Sequence, residues 1–168
     1  MIDVTLTPAL CSRLRVVSLW DVLTLDLGAE PHRTIPLLAG LSLRQARVVA
    51  LMFSIVEHPA GTRLVREGEQ GSEMFVVLEG ELRSSVMRDG RRLELGRIRR
   101  GDPMGEIALF TGVRSSDVEA VSNVRLLRMG LSDLEALRER NPRIASRVLY
   151  NLNLVLAERL TSTTEKMR

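Results

Sequence analysis

The 168-residue sequence predicts a mainly β domain with helices flanking it at both ends. Three observations carry that expectation. From about Ser54 to Gly130 a glycine returns every several residues, and short apolar runs such as Met74-Phe75-Val76-Val77-Leu78 and Val124-Arg125-Leu126-Leu127 lie between them. Within that stretch Asp89-Gly90 is a strong hairpin signal, because both residues tolerate the positive φ angles of a tight turn. Before and after it, apolar residues fall at helical spacing instead. Many short strands with turn punctuation fold as a sandwich or a jelly-roll barrel.

The elements follow in chain order. Thr7 before Pro8 marks a helix start, since proline fits a first helical turn. Ser18 and Asp21 resemble a capping box, and Leu19, Val22, Leu23 and Leu27 follow at helical spacing up to a stop at Gly28. Pro31 closes this segment, which sets 1–33 apart as an N-terminal helical extension. Ser42 caps a short helix through Gln45 to Met52. With the strands to Gly130 this forms a second block, 34–130, a helical lead-in and a β-roll. The third block, 131–168, is a pair of helices. Ser132 is the candidate cap of the first, reaching Arg140, and Asn141-Pro142 restarts the second. In that longer helix Ile144, Val148, Leu149, Leu152, Val155, Leu156 and Leu160 cover more than one face. One face is expected against the strands; the other is either buried in the same chain or open to a partner, including a second copy.

Composition narrows the function classes. The 45% hydrophobic and 27% charged fractions are ordinary for a globular chain, and with aromatics at 3% the core must be aliphatic. No run approaches the roughly 18 apolar residues of a membrane span. The N-terminus lacks the basic and apolar regions of a signal peptide, and the lone Cys11 builds no disulfide framework. The expected location is therefore the cytoplasm. A net charge of +3, with Lys166 the sole lysine, and no aromatic residues among Arg91-Arg92 and Arg99-Arg100, argue against nucleic acid. His32 and His58 are the only histidines, no spacing suits a metal, and no nucleophile motif occurs. A binding module is expected, not an enzyme, with no cofactor and no metal.

The stretch GEIALFTGVRSS, Gly105 to Ser116, is where chemistry concentrates. A carboxylate, a short apolar turn, an arginine and two hydroxyls lie within one loop. They suit a small anion held by Arg114 whose own hydroxyl is held by Glu106. The same two residues could instead pair with each other and close the loop on itself.

With its neighbours this stretch resembles the cyclic nucleotide-binding domain family, which includes bacterial catabolite activator proteins and the regulatory subunits of cyclic-AMP-dependent kinase. The resemblance runs from about Ile35 to Leu160. It rests on Pro36-Leu37-Leu38-Ala39-Gly40-Leu41, His58-Pro59-Ala60-Gly61-Thr62, Glu67-Gly68, Met74 to Gly80, Gly101-Asp102, Gly105-Glu106-Ile107-Ala108-Leu109 and Arg114-Ser115, in this order. It implies a double-stranded jelly roll, the β-roll, with N-terminal helices and a C-terminal helix pair. The implied ligand is cAMP or cGMP. Arg114 would fork onto the cyclic phosphate, as lysine cannot. Ser115, Ser116 and the amides opening the Ile107-Ala108 turn would add to it. Glu106 would accept the ribose 2′-hydroxyl beside Gly105. Leu64, Met74, Val76, Leu93 and Met104 could line the base, although the first four read equally well as ordinary core. From the last helix, Val155 stands where some members carry a capping arginine, and Arg159 lies about a turn further on. Ser115 suits either purine.

Two functions follow. One is a stand-alone sensor signalling to a protein partner or effector in trans through movement of its C-terminal helices, with a homodimer through the long helix as an option and no DNA-binding module. The other is a member that has kept the fold as a protein-interaction module without nucleotide. The Glu106-to-Arg114 interval, one residue shorter than the family's common one, motivates the second. Val113 in place of a proline and Asp117 in place of a threonine add to that motive.

Overall fold

The structure, a computed structural model, describes residues 35–166. The expectations for 1–33, with Cys11 and His32, lie outside the described residues. A 3-10 turn at Pro36–Leu38 leads into α1 (Leu43–Ala50). Ser42 caps that helix as expected: its hydroxyl accepts from the Gln45 amide while the Gln45 side chain accepts from the Ser42 amide. Eight strands follow: β1 (Ser54–His58), β2 (Arg63–Val65), β3 (Glu73–Glu79), β4 (Leu82–Arg88), β5 (Arg91–Ile98), β6 (Pro103–Met104), β7 (Asp117–Ala120) and β8 (Val124–Gly130). The short helix α2 (Glu106–Thr111) interrupts them, and α3 (Leu131–Arg140) and α4 (Pro142–Lys166) close the chain.

The strands form two antiparallel sheets, ordered β1-β8-β3-β6 and β2-β7-β4-β5. This is the β-roll. Asp89, at φ 51°, and Gly90 make the expected turn, so that β4 and β5 run in register from Arg88↔Arg91 to Leu82↔Ile98 with one bulge at Ser84/Ser85.

Each face of the first sheet is buried against a different layer. Phe75, Val77, Met104 and Leu126 point between the sheets, where they meet Leu82, Val118 and Ala120. Met74, Val76, Leu127 and Met129 point the other way. They form a second core with Leu37 and Leu38 of the 3-10 turn, Val49 of α1, Leu134 and Leu137 of α3, and Ile144, Val148 and Leu152 of α4. This explains the uninterrupted apolar run in β3, since a strand covered on both sides shows no apolar–polar alternation.

The cap of the first C-terminal helix differs from expectation. Helix α3 begins at Leu131, so its cap is Gly130 and not Ser132; the Asp133 carboxylate accepts the Gly130 amide at 2.8 Å. In α4, Leu152 is fully buried and Leu149 packs against the same core, whereas Tyr150, Leu154 and Leu160 are the exposed large apolar side chains. The middle of α4 is tied to the 3-10 turn by the buried Asn151, which donates to the Leu37 and Ala39 carbonyls at 2.9 Å each.

His58, at the end of β1, is buried, and burial lowers its pKa from the ordinary 6.5 because the charged ring loses water. A base with a lowered folded pKa contributes stability that is present above 6.5 and is lost as pH falls below it, as the unfolded chain takes the proton first. Urea denaturation at pH 7.5 and pH 5.5 should therefore show a smaller acid-induced loss of stability in His58→Gln than in the parent chain. An equal loss in both would mean that His58 is solvated.

Candidate ligand-binding site

Helix α2 opens directly after β6, and its N-cap is Gly105, at φ 78°. Only glycine adopts this conformation without strain. A side chain here would also collide with its neighbours: a Cβ would lie 2.6 Å from Arg114 Nη1 and 2.8 Å from the Glu73 carbonyl oxygen. Glu106, the first residue of the helix, is 2% exposed. After α2 the chain turns at Gly112 and is pinned to the 66–71 turn by main-chain bonds. The Arg114 amide donates to Glu69 O at 2.8 Å, Gly68 N donates to Arg114 O at 2.9 Å, and Gly71 N donates to Gly112 O at 3.0 Å. A bridge between Gln70 and Val113 completes the seam. These bonds fix where the shortened loop delivers its arginine.

The Arg114 side chain threads between Gly71 and Gly105. Its Nη1 donates to the Glu73 carbonyl at 2.7 Å, and its guanidinium carbon stands 5.9 Å from the Phe75 ring centroid. The residue is 7% exposed, and burial lowers its pKa against the opposing charges of Glu73 and Glu69. Neither carboxylate pairs with it. Glu73 is bound by Arg128, and Glu69 by the Arg66 amide and side chain. Among the described residues Arg114 has no carboxylate partner.

Glu106 does not pair with Arg114 either. Its Oε1 accepts from Nη1 of Arg159, on α4, whose Nη2 donates to the Pro103 carbonyl. Its Oε2 is buried without a hydrogen-bond partner. The loop is therefore not closed on itself by its own acid and base. Two other buried nitrogens lack a partner, Arg83 Nε and Arg125 Nε, but both belong to guanidiniums that already meet carboxylates.

In front of Glu106 lies a groove of ≈ 870 Å³ between β4, β5, the α2 loop and the last turns of α4. Of the residues expected at a site, Met104, Gly105, Glu106, Ile107, Ser115, Ser116, Val155 and Arg159 line it. Arg114 sits behind Gly105, and Ala108 is buried in α2. The Ser116 hydroxyl is 2.9 Å from that of Ser84, another lining residue. Asp117 faces elsewhere, as strand alternation from Ser116 predicts, and accepts the Glu67 amide at 2.9 Å.

Four expected base-pocket residues are not brought to the groove. Met74 and Val76 point into the core beneath the helices, on the opposite face of β3. Leu64 packs on the core between the sheets, and Leu93 is 56% exposed on β5. The apolar walls are supplied instead by Leu95, Ile98, Val118 and Leu156. Arg159, expected over a base, is turned onto Glu106. A smaller concavity of ≈ 430 Å³ has Arg125 already set between Glu57 and Glu79, at 3.6 and 3.5 Å, which leaves no cation there for an anion.

A β-roll with a helix pair packed on one sheet, and with a buried cation and a buried carboxylate in one loop, is the architecture of a ligand-binding domain. The model of the cyclic nucleotide-binding domain family matches residues 55–141, and the chain belongs to that family. It is 30% identical over 132 residues to glutaminase 1 of Bradyrhizobium diazoefficiens, a match covering 79% of this chain and 21% of that protein. The chain thus spans about a fifth of that relative's length. Among solved structures, the catabolite activator protein of Thermus thermophilus superimposes with a TM-score of 0.71 at 28% identity, covering 79% of this chain and 61% of that one. The regulatory domain of Toxoplasma gondii PKA, solved with cAMP, gives 0.56 at 30% identity, covering 62% and 40%. Among the described residues no helix is long and apolar enough to cross a membrane.

Proposed function

We propose that this domain binds a cyclic purine nucleotide, cAMP or cGMP, and acts as a regulatory module without catalytic activity of its own. The observation that carries this reading is the pair of unmet polar groups on either side of Gly105: a buried guanidinium with no carboxylate, and a buried carboxylate oxygen with no donor. A buried charge without a counter-charge and a buried oxygen without a donor are both costly, so such groups point to a ligand that meets them. An anion that also carries a hydroxyl donor satisfies both. The cyclic phosphate would take the remaining N–H groups of Arg114 and the Ser115 hydroxyl, and the ribose 2′-hydroxyl would donate to Glu106 Oε2. The base would then lie along Leu95, Ile98, Met104, Val155 and Leu156. The Ser84–Ser116 hydroxyl pair offers donors and acceptors to either purine.

Because α4 forms one wall of the groove, a ligand that contacts it differently in two positions shifts its population between them. That shift is the signal to a protein partner in trans, and the exposed Tyr150, Leu154 and Leu160 give it a surface. Calorimetric titration with cAMP and cGMP tests the reading. Saturable one-to-one binding at micromolar affinity or tighter is expected. Absence of binding to the folded protein would favour a fold kept for protein contact alone.

A further inference from the structure

From the contact between Arg159 and Glu106 we infer that Arg159 is the positioning residue of the carboxylate: it holds Glu106 for the ligand hydroxyl and thereby ties recognition of that hydroxyl to the placement of α4. This rests on the cyclic nucleotide reading above. Glu106 is 2% exposed and sits at the N-terminus of α2, yet the hydrogen-bonding partner of its side chain comes from α4, 53 positions along the chain. Arg159 spans two anchors. One arm is on Glu106 Oε1 and the other on the Pro103 carbonyl of β6, so the guanidinium plane is fixed from both ends. A planar fork held in this way orients the carboxylate it binds.

The unshared oxygen sets the sign of the effect. A carboxylate accepts at both oxygens, and Arg159 uses Oε1 alone. Oε2 stays buried and unpartnered, open to a donor that arrives later. A ligand hydroxyl can take Oε2 without displacing Arg159. The arginine therefore supports the ligand and does not compete with it. Its stem leaves the last described turns of α4, beside Val155, Leu156 and Leu160, which line the same groove. Fixing Glu106 and holding that part of α4 against the roll are one interaction. By linkage, whatever strengthens one strengthens the other.

The test compares Arg159→Gln with the parent chain, using the tighter-binding of cAMP and cGMP and its 2′-deoxy analogue. The parent is expected to prefer the ribonucleotide, by roughly tenfold or more for a hydrogen bond to a charged acceptor. In Arg159→Gln that preference should shrink severalfold or vanish, because the ribonucleotide loses both the held carboxylate and the docked α4, whereas the 2′-deoxy analogue loses only the second and weakens less. Hydrogen exchange without ligand should be faster in the last turns of α4 of the variant. A parallel loss for both nucleotides would make Arg159 a structural tether only, and tighter binding of the ribonucleotide would make it a competitor; either overturns the inference. So would unchanged exchange in α4. Failure of the parent to bind either cyclic nucleotide overturns the functional reading itself, and this inference with it.

Discussion

Arg114→Met is expected to weaken cyclic nucleotide binding by roughly a hundredfold to ten-thousandfold while leaving the melting temperature of the ligand-free protein unchanged or raised. The sign follows from what surrounds the side chain. A guanidinium in this position loses most of its water, and it gains one carbonyl bond at 2.7 Å and one aromatic face. It gains no carboxylate. Removing it leaves the Glu73 carbonyl short of a donor, worth about 1 kcal/mol, but it also removes a desolvated charge whose penalty is several kcal/mol. Methionine fills the same channel and packs its sulfur on Phe75. With ligand the balance reverses. Two charge-assisted bonds to a phosphate, at about 1.5–3 kcal/mol each, correspond to roughly a hundredfold to ten-thousandfold in affinity. Thermal melts of both proteins, with and without cAMP or cGMP, read both quantities. A variant that melts several degrees lower without ligand, yet keeps its ligand-induced shift, would show Arg114 to be a structural residue.

Such a residue is legible in sequence; its partners are less so. The roll, the Asp89-Gly90 turn, the Ser42 cap and the breaks at Asn141-Pro142 follow from local rules that the structure obeys, because turn and cap chemistry is decided within a few residues. The loop chemistry was legible for a similar reason: Gly105, Glu106, Ser115 and Ser116 lie in one stretch and reach one groove. Side-chain facing within β3 was not. Met74-Phe75-Val76-Val77 is apolar at every position, so period-2 reasoning has no polar residue with which to choose between base lining and ordinary core for Met74 and Val76; the structure puts both in the core beneath the helices. Only the helices covering that sheet decide which face is which. Leu95 and Ile98 were missed because the bulge at Ser84/Ser85 shifts the register of β5, and a bulge leaves little mark in a single strand. Arg159 is expected over a base, and the structure turns its guanidinium onto Glu106. Its distance from Glu106 along the chain gives no local signal, and the pairing exists only because α4 folds back across the roll.

Gly71→Ala should impair ligand binding as a displaced Arg114 does, without a residue of the groove being changed. A Cβ at Gly71 would lie 2.3 Å from Arg114 Nε, 2.6 Å from its Cζ and 2.8 Å from its Nη2, distances that real contacts do not reach. These are the closest atoms it would meet, and all belong to one flexible side chain. Unlike Gly105, Gly71 does not hold a positive φ, so alanine adds no backbone strain. The guanidinium must therefore shift, and with it the N–H groups that the proposed phosphate contact would use. Losing one charge-assisted bond costs about tenfold to a hundredfold in affinity. Since the side chain gives way and the backbone stays, the stability of the free protein should move by less than about 1 kcal/mol. A double-mutant cycle separates this from general damage. In an Arg114→Met background the thioether can bend away and no charged group remains to be displaced, so Gly71→Ala should cost almost nothing further. Additive losses would mean that Gly71 serves the fold by itself. A coupling as large as the single effect would mean that its place in the sequence is set by the arginine 43 residues later, whose guanidinium needs a position without a Cβ to pass between Gly71 and Gly105.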